Sequence, residues 1–255
     1  MDIEARLFKI INSDLSTVSL TDKEFVFHQA VAAFAKEYDF NPELILDPHI
    51  NFREAHARRQ RGRYFSIISK KNLLYDDLYE LYIVLHELFH ELVHNRQDFY
   101  FDQGMDSPTM RAYAIEYGIG ALDKTSRYRR MSEELANLEP IERVYDDNHD
   151  YFLYEIHANI EGYQRAYAFL CEYVGEKVLS EIGLASRHKG DLAHQERRMA
   201  MHHFRFKGQE FRGSYEENVA ALLAVCEEDS PVIGSFVTLY NNKLDKKNNH
   251  LNQTA

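Results

Sequence analysis

The stretch His86-Glu87-Leu88-Phe89-His90-Glu91-Leu92-Val93-His94 contains the pattern H-E-x-x-H twice in overlapping register, as His86 to His90 and as His90 to His94. On an α-helix, residues four apart lie about 40° apart around the axis and one turn along it. Two imidazoles placed this way can share one zinc ion, and the glutamate that follows the first can reach a water activated there. The pattern points to a hydrolytic metal site, against the plainer reading of polar residues on an amphipathic helix.

The flanks favour the metal reading. Leu74, Leu78, Leu81, Tyr82 and Leu85 recur at three- and four-residue steps, and neither Gly nor Pro interrupts residues 70–96, so a helix enters the motif already formed. Ahead of it, Arg63-Tyr64-Phe65-Ser66-Ile67-Ile68-Ser69 is rich in aromatic and β-branched residues and predicts a short strand. A strand followed by an H-E-x-x-H helix is the order found in zincin metallopeptidases. The expected fold is α+β, mainly helical and zincin-like, with a small β-sheet packed beside that helix. Of the two registers, the first follows apolar Ile83, Val84 and Leu85, which suits a buried ligand helix. The second is preceded by Glu87 and followed by Asn95, Arg96 and Gln97, an end that reads as closer to solvent. His86 and His90 are therefore the expected ligands and Glu87 the expected general base, with His94 a neighbour one turn on.

A catalytic zinc takes three protein ligands and keeps a fourth position open. The extended metzincin pattern would need glycine at position 93 and histidine at position 96, where this chain has Val93 and Arg96. The third ligand is thus expected elsewhere. A helix over 151–173 would place Glu155, Ala158, Asn159, Gly162 and Ala166 on one face, whose small residues allow close approach and a single presented carboxylate. Gly162 costs a helix interior about 1 kcal/mol relative to alanine, and close packing is one reason to carry it. The alternative is an ordinary packing helix with a solvated glutamate. Other candidates for the position are Glu116, Glu133, Glu134, His149 and His157. Glu133 and Glu134 follow Ser132, a natural N-cap, and acidic residues suit the first turn of a helix. His157 lies about 200° around the helix from Glu155, so the two do not easily serve one metal.

The combination of His86-Glu87-Leu88-x-His90 with a later Glu155-x-x-Ala158-Asn159 resembles the ImmA/IrrE-like metallopeptidases, gluzincin-type proteins of bacteria and their mobile elements. His94 falls where many such sequences carry a further histidine. The resemblance covers about residues 63–170. It implies an intracellular zinc-dependent peptidase with His86, His90 and Glu155 as ligands and Glu87 as base. It also implies a protein or peptide substrate, such as a repressor or antitoxin, and a strand before the helix that pairs with extended peptide. This chain departs from the pattern in two places: 64 residues separate His90 from Glu155, and Gly162 stands where alanine is common. A donor to the reacting carbonyl oxygen would come from a tyrosine or histidine, with Tyr151, Tyr154, His149, His157 and Tyr163 all close in sequence. From a different class, a non-catalytic zincin-like protein that binds a partner is the alternative, and a helical interaction protein without metal is another. Glu87 argues against the first of these, since a purely structural site has no need of a base.

Composition narrows the remainder. A chain of 255 residues with 45% hydrophobic content can build a core, expected here as one domain over 1–242 with a polar, frayed tail at 243–255. There is no apolar run of membrane-spanning length, and the first twenty residues lack a secretory pattern. Cys171 and Cys226 form no disulfide framework, which makes the cytoplasm the expected compartment. The net charge of −11 argues against broad nucleic-acid binding. One basic run, Arg53, His56, Arg58, Arg59, Arg61, Arg63, Lys70 and Lys71, reads as a solvated loop and strand edge, or as a patch that steers an acidic protein substrate. Helices are expected over 25–38, 110–122, 132–138, 215–228 and 231–244, with a short segment opening at Asn41-Pro42, a turn over 104–108, and a break with a short helix over 175–190. His188, His194, His202 and His203 match no ligand spacing and read as polar surface.

Overall fold

The computed structural model describes residues 2–103, 153–200, 203–206 and 209–212. The elements in chain order are α1 (Ile3–Ile11), a 3-10 turn (Leu15–Thr17), α2 (Leu20–Tyr38), β1 (Glu43–Asp47), β2 (Ala55–Gln60) and β3 (Arg63–Ser69). After a second 3-10 turn (Lys70–Leu74) come α3 (Leu78–Asp102), α4 (Leu153–Val174), α5 (Glu176–Glu181), α6 (Leu184–Ala200), β4 (His203–Phe206) and β5 (Gln209–Arg212). This is the mainly helical α+β class that the sequence predicts. The expected helices over 110–122, 132–138, 215–228 and 231–244, the turn over 104–108 and the tail fall outside the described residues. Contacts group Met1–Phe99 with His157–Gln195 in one compact unit, and Tyr100–Ile156 with Glu196–Ala255 in another. The division falls inside α4, which is continuous through it.

In the first unit, β3 forms over the residues its composition predicts and becomes the centre of a three-stranded sheet of order β1-β3-β2. β1 runs parallel to it, pairing Glu43 with Phe65 through Asp47 with Ser69. β2 runs antiparallel, pairing Ala55 with Ile68 through Gln60 with Arg63. β2 has little intrinsic strand character and is held extended by that pairing, across a two-residue turn in which Arg61 and Gly62 both take positive φ. The expectation that β3 offers an edge to a peptide does not hold, because both of its edges are already paired.

Helix α3 begins at Leu78 rather than in the preceding run for a local reason. Asp77 Oδ1 accepts from the Glu80 amide at 2.7 Å, and Glu80 Oε2 accepts from the Asp76 amide at 2.8 Å, a reciprocal cap of the capping-box kind. The buried Lys23 of α2 secures the same segment: its ammonium donates to the Tyr75 carbonyl and lies 3.6 Å from Asp76. The apolar stripe of α3 (Leu81, Leu85, Leu88, Phe89, Leu92) is buried with Phe27, Ala30 and Phe34 of α2 and Ala166, Phe169 and Leu170 of α4 in one core. Phe89 lies 6.4 Å from both the Phe34 and Phe169 rings. On the sheet side, buried Asn95 of α3 donates to Ser66 of β3 at 2.8 Å. Helix α2 starts earlier than expected, at Leu20, because Ser19 caps it by accepting from the Asp22 amide. Helix α6 runs through Gly190, where the sequence had suggested a break. No helix among the described residues is long and apolar enough to cross a membrane.

An ionic cluster ties α2, α3 and α4 together. Glu161 accepts from Arg96 at 2.7 and 2.5 Å and from Arg165 Nε at 2.8 Å, and Tyr38 OH donates to it at 2.9 Å. Arg165 also chelates Glu37, and both guanidiniums lie against the Tyr38 ring, at 4.3 and 4.8 Å. Burial alone would raise the Glu161 pKa, but the two arginines outweigh it and hold the carboxyl below its usual 4.5. Removing one member leaves charge uncompensated, so Glu161→Ala is expected to destabilise the fold by about 3 kcal/mol in urea titrations. A carboxylate with a depressed folded pKa stabilises above its unfolded value and loses that contribution as pH falls through the folded one. Wild type should therefore lose stability below about pH 4.5 more steeply than Glu161→Gln, as thermal midpoints across pH would record.

Candidate metal centre

Three turns of α3 carry the histidines. His90 and His94 bring their Nε2 atoms to 2.9 Å, with the rings edge-on at 4.5 Å. Glu155, in the first turn of α4 and buried, joins them: one ligand atom from each of His90, His94 and Glu155 lies within 4.8 Å of the other two. Among the sequence-predicted ligands the structure thus brings together His90 and Glu155, but with His94 in place of His86.

His86 occupies a different environment. Its ring stacks on Tyr163 at 3.7 Å and 13°, Asn159 hydrogen-bonds it, and its Nε2 is buried without a hydrogen-bond partner. Burial, reinforced by the neighbouring His90, depresses its pKa to about 3, against the opposing Asn159 bond, so the ring is neutral at ordinary pH. Glu87 turns toward the sheet side, accepting from Asn72 Nδ2 at 3.1 Å, while Asn72 Oδ1 accepts from the Arg53 amide at 2.7 Å. Burial pushes the Glu87 carboxyl up to about 7, against the pull of Asn72 and Arg53. Glu91, the glutamate of the second register, is itself buried.

The end of the motif that reads as solvent-facing is largely enclosed, with Asn95 and Gln97 buried and His94 and Arg96 half-buried. Its polar side chains are consumed by partners: Asn95 by Ser66, Arg96 by Glu161, and Gln97 by His94. Gln97 Oε1 lies 2.8 Å from His94 Nδ1, and an amide oxygen only accepts, so Nδ1 carries the hydrogen and Nε2 presents its lone pair. Ligating histidines are oriented by such a bond on the opposite ring nitrogen. Nothing in the sequence singled out Gln97 beyond its three-residue spacing from His94.

Two imidazole nitrogens and a carboxylate suit zinc, and tetrahedral bonds of about 2.0–2.1 Å would set neighbouring ligand atoms about 3.3 Å apart. The His90–His94 separation needs to open by only a few tenths of an ångström. These residues fit the ion. Of the other candidates, Glu116, Glu133, Glu134, His149 and Tyr151 lie outside the described residues. Tyr154 is buried, Tyr163 is stacked on His86, and burial is the main cause that lowers the His157 pKa. His188 is a packing histidine, stacked on Tyr167 at 4.3 Å, and His194 is exposed. The side chains of His202 and His203 are outside the described residues.

Gly162 sets how closely α4 approaches α3. A Cβ there would lie 3.1 Å from His86 Cδ2, 3.1 Å from the His86 carbonyl oxygen and 3.2 Å from the His90 amide nitrogen. Two of these are backbone atoms that cannot swing away. Gly162→Ala should therefore lower stability by about 1–2 kcal/mol despite alanine's better helix propensity. It should also weaken zinc affinity at least about tenfold by separating Glu155 from the histidines, as a competitive chelator titration would measure. No protein-family model, no curated protein and no solved structure matches this chain.

Proposed function

We propose that the protein is a zinc-dependent hydrolase of peptide bonds, of the ImmA/IrrE-like zincin kind, with the metal held in the second register of the motif. The observation that carries this reading is the convergence of His90, His94 and Glu155 from two helices on one point. When bound, zinc would supply Lewis acidity and bring the pKa of a water near 7.

The chain's own groups do the rest. Gln97 keeps the proton of His94 on Nδ1, so that ring is already in the ligating tautomer. His90 Nε2 lies 2.9 Å from His94 Nε2, so both rings would turn the same nitrogen to a shared ion. Glu91 stands directly after the first ligand, the position of the general base in H-E-x-x-H. It would take the proton of the attacking water and return it to the leaving amine. Glu87, at about 7, is then a neighbour of the site and not its base.

Metal analysis of purified variants tests the assignment. Wild type and His86→Ala should each hold about one zinc per chain, while His90→Ala, His94→Ala and Glu155→Ala should hold little. Zinc loss in His86→Ala with retention in His94→Ala would restore the first register. Glu91→Gln should keep its metal and lose peptidase activity by at least about a hundredfold, whereas Glu87→Gln should retain most of it. Retained activity in Glu91→Gln would exclude Glu91 as the base, and a zinc-loaded wild type that cleaves no peptide would be a non-catalytic binder.

A further inference from the structure

We infer that the β2–β3 hairpin is a recognition surface for an acidic polypeptide segment. Within residues 53–63 the chain places five arginines against a single glutamate, although the whole protein carries a net charge of −11. On β2, His56 and Arg58 pair with Ile67 and Phe65 of β3, on the face opposite the buried Tyr64, Ser66 and Ile68. Arg58 and Arg61 are both exposed, and among the described residues neither makes an ion pair. Arg63 differs, because Glu43 of β1 already holds it.

The backbone gives a second, independent argument. Arg53 and Arg61 both occupy the left-handed region, at φ 61° and 53°. Glycine, asparagine or aspartate is the residue that such positions favour, and Arg61 with Gly62 forms a two-residue hairpin turn for which Asn-Gly is the preferred pair. The turn is thus made with a residue that local geometry disfavours, and what arginine adds is its side chain. A rigid fork of donors that stays charged at all ordinary pH is the group best matched to carboxylates. Cationic side chains on an edge strand also discourage aggregation, but that purpose does not call for arginine at a left-handed turn position.

The hairpin adjoins the helix that carries the histidines. The Arg53 amide donates to Asn72, and Asn72 donates to Glu87 of α3, while Asn95 of α3 bonds Ser66 of β3, whose partner on β2 is Ala57. Where the proposed hydrolase reading holds, the surface selects substrates with an acidic stretch beside the scissile bond. Only that role in selection rests on the metal reading; the binding itself does not.

The test uses the full chain and a fluorescein-labelled ten-residue polyglutamate, followed by anisotropy, with polylysine and oligo-dT of equal length as comparisons. Polyglutamate should bind, polylysine should not, and the binding should weaken with added salt. Arg58→Gln/Arg61→Asn should weaken polyglutamate binding at least about tenfold. Because asparagine suits the left-handed turn, that variant should melt no lower than wild type and keep its zinc, which excludes misfolding as the cause. Unchanged affinity in the double variant, or tighter binding of oligo-dT than of polyglutamate, would overturn the inference. A zinc-free wild type that still binds polyglutamate would count against the metal reading alone, and a zinc-loaded wild type that ignores polyglutamate would count against this inference alone.

Discussion

The close approach of α4 to α3 at Gly162 is the constraint on which the candidate site depends. With no Cβ at that position, the α4 backbone sits against the turn of α3 between His86 and His90. Glu155 lies seven residues earlier, about two turns or 10 Å along the same helix. Gly162 faces the His86–His90 turn and Glu155 faces His90 and His94, so the two helices run in opposite senses. That antiparallel contact delivers the carboxylate to the second register. Glycine at this position has a steric explanation in this chain.

The electrostatic surroundings are consistent with that geometry. His86 is desolvated, stacked on Tyr163 and held neutral, a packing histidine at the helix contact. About two turns on, His94 is oriented by Gln97, and just beyond it Arg96 reaches Glu161 on α4. The ionic cluster that includes Arg165, Glu37 and Tyr38 holds α2 to the same pair of helices. The motif is thus clamped on its flank by charge and at its centre by backbone contact. A site whose ligands come from two helices needs both, because a shift of an ångström separates the ligand atoms.

Much of the fold could be read from local pattern. The helix of α3 shows in its three-four periodicity, β3 in its run of aromatic and β-branched residues, and α4 within two residues of its bounds. What was missed had weak local signals. β1 and β2 lack the composition of strands and are extended because β3 offers them backbone partners on both sides. Helix α1 is short, and its Leu7, Ile10 and Ile11 are buried only through packing on the rest of the unit. The solvent-facing reading of Asn95, Arg96 and Gln97 failed because polarity was taken for exposure, and each of the three has a hydrogen-bond partner on another residue.

The sequence by itself determined the chemistry on offer: three imidazoles on one helix with Glu87 and Glu91 between them, and a distant Glu155 on a face of small residues. Those were legible because i, i+4 spacing fixes which side chains share a helix face, whatever the rest of the chain does. Between the registers it offered only the flanks, and the apolar Ile83, Val84 and Leu85 favoured His86 and His90, although the two pairs are related by one helical turn. Only the tertiary structure places Glu155 beside His90 and His94, by setting which turn of α3 lies opposite the first turn of α4. The physical reason is steric: Gly162 fixes the sliding position of the two helices, and the carboxylate two turns away goes where that contact puts it.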